Sequence, residues 1–400
     1  MISKVRNPYG KYNGNEAEYV LRALDTEDPE SRGISWVQQF EEKFAEKVGA
    51  SYAIAVNSGT SGLHAALYAA GVGPGDEVIQ PAMTVVMDAY ATIHLGGTPV
   101  FADIVPETHH IDPEDILRKI TPRTKAIMTV SWQGLPVDMD PILEIAKKHN
   151  LLVIDDSAQT MMGIYKGKVS GSNAHIGVYS FENKKHLTTG SEGGMIVTSD
   201  PELATRARKF AGIGYKHMTA TAGRTHLALS TVQDPAYERF DTIGLNYRMN
   251  SVSAAIGIAQ LERVDHIVSR RQACGRMFLE AIEGCAWMVP QRIAEGVEHT
   301  FYTFAVDYRG EAARGVKWKD FYNRYIAMGG DGFYGCVVTP YLEPALRGKD
   351  FGGVSLTKGL CPKAEDLQPR VMQFKTNYRD LGVARHKANL LSKLIDEIGR

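Results

Sequence analysis

Between residues 50 and 200, short apolar runs rich in Val and Ile alternate with longer stretches whose apolar positions recur at helical spacing. The runs predict strands over Ala53–Val56, Glu77–Gln80, Val100–Asp103, Ala126–Val130, Leu151–Asp155, Val178–Phe181 and Met195–Thr198. The stretches predict helices over Ser61–Ala70, Thr84–Leu95, Pro113–Ile120, Pro141–His149 and Pro201–Phe210. Such alternation implies an α/β architecture, a mostly parallel mixed sheet covered by helices on both faces. Ligands of such sheets sit beyond the carboxyl ends of the strands. The residues just after each apolar run are therefore the place to look for chemistry.

Beyond residue 250 the pattern changes. A helix over Ser251–Val268 is expected to carry the chain out of the large domain. Helix over Arg270–Ile282, strand over Thr300–Asp307, helix over Trp318–Met328 and a terminal helix over Tyr378–Ile398 then predict a small α+β C-terminal domain. Four hundred residues exceed the size at which one core stops growing, so two domains are expected, 1–265 and 266–400. The polar stretch Tyr215–Asp241 lacks periodicity and reads as a long loop, of the kind that is often functional.

Composition narrows the function classes. A net charge of −1 gives no electrostatic footprint for nucleic acid or an anionic membrane. No apolar run reaches the length of a membrane span. The opening residues Met1-Ile-Ser-Lys-Val-Arg-Asn-Pro8 lack the apolar core of a signal peptide, so a cytoplasmic protein is expected. Cys274, Cys285, Cys336 and Cys361 form no C-x-x-C pair and have no accompanying His cluster; they read as buried thiols, and no metal site is expected.

The chemistry concentrates in two segments. Asp156-Ser-Ala-Gln159 closes an apolar strand, and Lys185 follows 29 residues later in the Ser- and Gly-rich stretch Ser180–Gly194. Pyridoxal phosphate (PLP) asks for these two groups: an amine to form a Schiff base with its aldehyde, and an anion to keep its ring nitrogen protonated. A third segment, Asn57-Ser-Gly-Thr-Ser-Gly62, lies between an apolar run and a helical pattern. Free N–H groups at such a helix start cradle phosphate. The same turn is not G-x-G-x-x-G, which argues against a dinucleotide-binding dehydrogenase.

Ser-Gly-Thr60, Ile-Asp-Asp156-Ser-Ala-Gln159, Ser180-Phe-x-x-x-Lys185 with the following Glu-Gly-Gly194, and Gly244-Leu-Asn246-Tyr-Arg-Met249 together resemble the DegT/DnrJ/EryC1/StrS family of PLP-dependent sugar aminotransferases. The resemblance runs from about residue 12 to the C-terminus and is thin after 265. It implies the aspartate aminotransferase type fold (PLP fold type I), with PLP as cofactor and pyridoxamine phosphate as an intermediate. It implies Lys185 as Schiff-base lysine and proton shuttle, Asp156 on the ring nitrogen, and Gln159 on the phenolic oxygen. Gly59, Thr60, Ser61 and Ser180 would hold the phosphate. Asn246 would reach the phosphate of a neighbouring subunit, which makes a homodimer with a shared active site. Arg248 is open to two readings, a partner for a substrate carboxylate or a structural ion pair.

One position departs from the family pattern. An aromatic residue that stacks on the cofactor ring is usual where this chain has Val85, so aliphatic packing is expected there. Relatives with His at the lysine position run a dehydration; Lys185 argues for amino transfer. The implied reaction moves an amino group from an amino acid, expected to be glutamate, to a keto-sugar, expected to be nucleotide-linked. A cyclitol ketone and a dehydratase reaction are the alternatives.

Overall fold

The computed structural model describes residues 10–26, 35–222 and 227–400. The segment Met1–Pro8 read above lies outside them. Seven strands form the main sheet: β1 (Tyr52–Val56), β2 (Glu77–Pro81), β3 (Thr98–Ala102), β4 (Thr124–Val130), β5 (Leu152–Asp156), β6 (Ile176–Ser180) and β7 (Gly194–Thr198). Their order is β1-β7-β6-β5-β4-β2-β3. Every pairing is parallel except those of β7, which runs antiparallel to both its neighbours.

The strand pleat sorts side chains between two apolar layers. Ile54, Val56, Ile154 and Val178 pack against helices Gly59–Ala69 and Pro201–Ala211. Their neighbours Ala53, Ala55 and Tyr179 face the opposite layer with helices Trp36–Val48 and Ser251–Leu261. Val153 continues that second side against Met139–His149. Burial on both faces is why these strands read as continuous apolar runs and not as alternating ones.

A second, antiparallel sheet orders Met288–Pro290, Thr303–Tyr308, Val371–Lys375 and Tyr334–Gly335. Helices Val264–Ile282 and Leu381–Ile398 share its core through Phe278, Phe304, Phe374 and Leu391. The chain then returns to the large sheet: Tyr341, Leu346 and Leu356 pack with Met83 and Phe101. All four cysteines are buried and none is disulfide-bonded. Among the described residues no helix is long and apolar enough to cross a membrane.

Several boundaries differ from the sequence reading. The helix expected from Thr84 begins at Met87, because the Ala82 N–H still bonds the carbonyl of strand residue Ala102 at 2.9 Å. The helix expected over Ser251–Val268 is broken after Leu261. Arg263 leaves helical geometry (φ −117°, ψ 8°) and binds Glu16 at 2.6 Å. The strand expected from Thr300 begins at Thr303, after Phe301 takes a left-handed φ of 48°. The terminal helix begins at Leu381, capped by the Asp380 carboxylate on the Gly382 N–H. The long loop after Tyr215 contains one short helix, Leu229–Gln233.

Candidate active site

The reversed direction of β7 brings its first residue, Gly194, opposite both Val56 at the end of β1 and Ser180 at the end of β6. A Cβ on Gly194 would stand 2.6 Å from the Ser58 carbonyl oxygen, and one on Gly59 would stand 2.8 Å from the Ser180 Cβ. The turn after β1 is thus pressed against the ends of β6 and β7, an approach only glycine permits. Ser58 caps the helix by accepting the Ser61 N–H at 3.1 Å, while the Ser61 hydroxyl donates to Asn57 at 2.7 Å. The N–H groups of Gly59 and Thr60 belong to the first turn, where no helical carbonyl precedes them. These two amides lie at the positive end of the helix and beside Ser180, where an anion could be held.

The pleat at the end of β5 separates two neighbouring acids. Asp155 is buried and receives four hydroxyls, from Thr129 (2.7 Å), Ser157 (2.6 Å), Ser131 (3.2 Å) and Ser170 (3.2 Å). Asp156, also buried, accepts the Ala158 N–H at 2.9 Å. Burial raises the Asp156 carboxyl to about 6, against the pull of the Ala158 amide and the positive charge of Lys185. Burial in turn lowers the Lys185 amine, opposed by the attraction of Asp156 and Glu182. Lysine and aspartate thus lie within each other's electrostatic reach.

Lys185 points over the Tyr302 ring, 4.8 Å from its centre, while Lys184 is exposed. The buried Arg271 guanidinium holds this loop from behind. It donates to the carbonyls of Tyr302 (2.9 Å), Lys184 (2.9 Å) and Lys185 (3.4 Å). Burial brings the Arg271 pKa down to about 10.

Gln159 is buried, and its Oε1 accepts the backbone N–H of Gln133 at 2.9 Å. That bond assigns the amide: Nε2 is the donor the side chain has to offer. Gln133 is itself left-handed (φ 61°), with its side chain bonded to His109 at 2.9 Å. Val85 is half-buried on the loop after β2, against the cluster containing Tyr341 and Leu346. Asn246 is exposed and bridges Gly212; the next carbonyl, of Tyr247, accepts the Asn57 N–H at 2.7 Å, so this segment runs along β1 beside that helix start. Arg248 is exposed and joins no ion pair among the described residues. His186 is buried with Nε2 3.2 Å from the Thr300 carbonyl oxygen, and burial keeps it neutral.

The DegT/DnrJ/EryC1/StrS aminotransferase family model matches residues 12–373. The chain belongs to this family. The GDP-perosamine synthase of Caulobacter vibrioides is 44% identical over 267 residues, 66% of this chain and 67% of that protein. That of Escherichia coli O157:H7 is 39% identical over 293 residues, 73% and 75% of the two chains. Among solved structures, an aminotransferase from Psychrobacter cryohalolentis superposes with a TM-score of 0.84 at 29% identity, covering 96% of this chain and 97% of that one. DesV of S. venezuelae gives 0.81 at 27% identity over 95% and 94%.

The DegT-family aminotransferase has the two-layered, mostly parallel sheet that its sequence resemblance implied. Three residues of its site were not singled out from sequence. Tyr302 and Arg271 stand in ordinary strand and helix surroundings, and only the fold brings them to Lys185. Asp88 looked like one more acid in a helical stretch; it is fully buried against Asp156.

Proposed function

We propose that this aminotransferase binds PLP through Lys185 and moves an amino group from an amino acid, glutamate by expectation, to the ketone of a nucleotide-linked sugar. One observation carries the reading: a buried carboxyl and a lysine of lowered pKa lie within electrostatic reach at the carboxyl edge of the sheet, beside the amides of a helix start. The residues present fit the cofactor: the first-turn amides of Gly59 and Thr60 lie beside Ser180 and suit its phosphate, and an amine and a buried carboxyl suit its aldehyde and ring nitrogen.

Bound PLP supplies an electrophilic aldehyde and a ring that accepts electrons from the substrate carbon. The Gly59 and Thr60 amides and the Ser180 hydroxyl would hold the phosphate, with Ser61 acting through the cap. Asp156 would serve the ring nitrogen, Gln159 would offer its Nε2 donor to the phenolic oxygen, and Val85 would pack against the ring. The Lys185 amine, its pKa lowered by burial, would be the nucleophile toward the aldehyde and, once free, the general base and acid of the site. The Tyr302 ring and the Arg271 clamp keep that amine in place through both roles.

The relatives named GDP-perosamine synthase make a GDP-linked keto-sugar the first acceptor to try. A biosynthetic enzyme of this kind would act in the cytoplasm. A second subunit completes the reading. Asn246 is flanked by exposed apolar side chains, Ile243 (94% exposed), Phe240 and Leu245, a surface that water does not favour and a second copy would cover. Asn246 then reaches the partner's phosphate.

The test is chemical. Borohydride reduction of protein loaded with PLP, followed by peptide mass spectrometry, is expected to place the adduct on Lys185. Glutamate should discharge the visible absorbance, and a panel of GDP- and TDP-linked keto-sugars should restore it with formation of an amino sugar. An adduct elsewhere, or amine transfer to no sugar nucleotide, defeats the proposal. Sedimentation at micromolar concentration reads the dimer.

A further inference from the structure

Asp88 lies in the first turn of helix Met87–His94 and is completely buried. Thr84 donates its hydroxyl to Asp88 Oδ2. Oδ1 meets no N–H or O–H donor among the described residues. What the side chain does meet is Asp156, within hydrogen-bonding reach. Two buried carboxyls in contact do not both ionise, so one of them keeps a proton.

The surroundings decide which one. Asp156 has the Ala158 amide and the charge of Lys185 to stabilise its anion. Asp88 has one neutral hydroxyl, and it feels the negative charges of both Asp156 and Asp155. Burial and those charges push Asp88 well above the ordinary carboxylate range. Lys185 and Asp155 are the other titratable groups that act on the pair.

We propose that Asp88 is a positioning residue, held as a carboxylic acid, that donates its proton to Asp156 and keeps that carboxylate aimed at the cofactor's ring nitrogen. The inference rests on the PLP reading above. No group is transferred; the proton stays on Asp88 while Asp156 remains an anion. The arrangement carries a built-in limit. When Asp88 loses its proton at alkaline pH, an attraction becomes a repulsion between buried anions, and Asp156 loses its orientation.

The experiment measures PLP affinity of apo-protein from pH 6 to 9.5 for wild type, Asp88→Asn and Asp88→Ala, with 15N NMR of ring-labelled PLP. Asp88→Asn keeps a donor and cannot titrate. It is expected within about threefold of wild-type affinity at pH 7, with a flat alkaline limb where wild type weakens. Asp88→Ala is expected to bind about tenfold more weakly at neutral pH, with the ring nitrogen shifted toward its unprotonated resonance. A limb for Asp88→Asn that falls like that of wild type overturns the inference even if Asp88→Ala fails to fold. If wild type binds PLP on Lys185 and neither variant differs from it, this inference alone fails. If wild type binds no PLP, the proposed function fails with it.

Discussion

The backbone N–H of Gln133 donates to Oε1 of Gln159 across 2.9 Å, and in doing so decides which end of a buried amide remains available. An amide side chain offers one acceptor and two donors, and the fold has consumed the acceptor. Gln159→Glu keeps an acceptor for Gln133 and removes the donor. The expected outcome is PLP affinity reduced roughly tenfold or more, read by titrating the visible band. Gln159→Leu should match it in binding and also lower the melting temperature, because it leaves the Gln133 amide buried without a partner.

Gly59 is a second point where one atom decides. Its missing Cβ would sit 2.8 Å from that of Ser180. Gly59→Ala is expected to push the helix start away from β6 at a cost of about 1–3 kcal/mol, the usual penalty of overpacking. Cofactor affinity should fall as well if, as proposed, Gly59 and Ser180 hold the phosphate. Denaturant unfolding of the apo form and PLP titration measure the two effects separately.

Lys185 should be a better nucleophile than an ordinary lysine near neutral pH. Burial lowers its pKa, so the neutral amine accumulates as pH rises through a value below the model-peptide figure of about 10.4. The rate of forming the borohydride-trapped adduct is expected to reach half its maximum below that pH. Lys185→Ala should form none, and Lys184 should stay unmodified.

Asp156 predicts the pH dependence of the apo form. Its carboxyl is raised from 3.8 to about 6 in the folded state, so this group holds more protons in the fold than in the unfolded chain between those values. Its contribution to stability therefore falls as pH rises through that window and is constant above it. The shift corresponds to a loss on the order of 1–3 kcal/mol between pH 4 and pH 7. Asp156→Asn should flatten that limb of the curve in urea unfolding.

The parts legible in the sequence were those fixed by local pattern. Strands buried on both faces announce themselves as apolar runs, and all seven strands of the main sheet appear within about two residues of expectation. Asp156, Lys185 and the turn Asn57–Gly62 were legible because each follows such a run, where the sheet exposes its carboxyl edge. Position 263 was not legible. Nothing in Leu261-Glu-Arg-Val264 forbids a helix, and the break depends on an ion pair with Glu16, distant in the chain. Asp88 was hidden for the same reason. An acid near the start of a helix is an ordinary capping choice, and its meeting with Asp156 exists only once that helix packs on β2 and β3. Arg271 is likewise a helix residue whose three carbonyl acceptors are contributed by distant segments.

The antiparallel course of β7 means that the Lys185 amine rides on a connection whose two feet are planted on adjoining strands, with a further bridge between Glu182 and Ser191. A crossover connection would couple the lysine to the motions of a helix. The link between adjoining strands gives it a fixed address. Under the proposed function that amine would leave and return in each turnover, so insertions between Phe181 and Gly193 should be poorly tolerated.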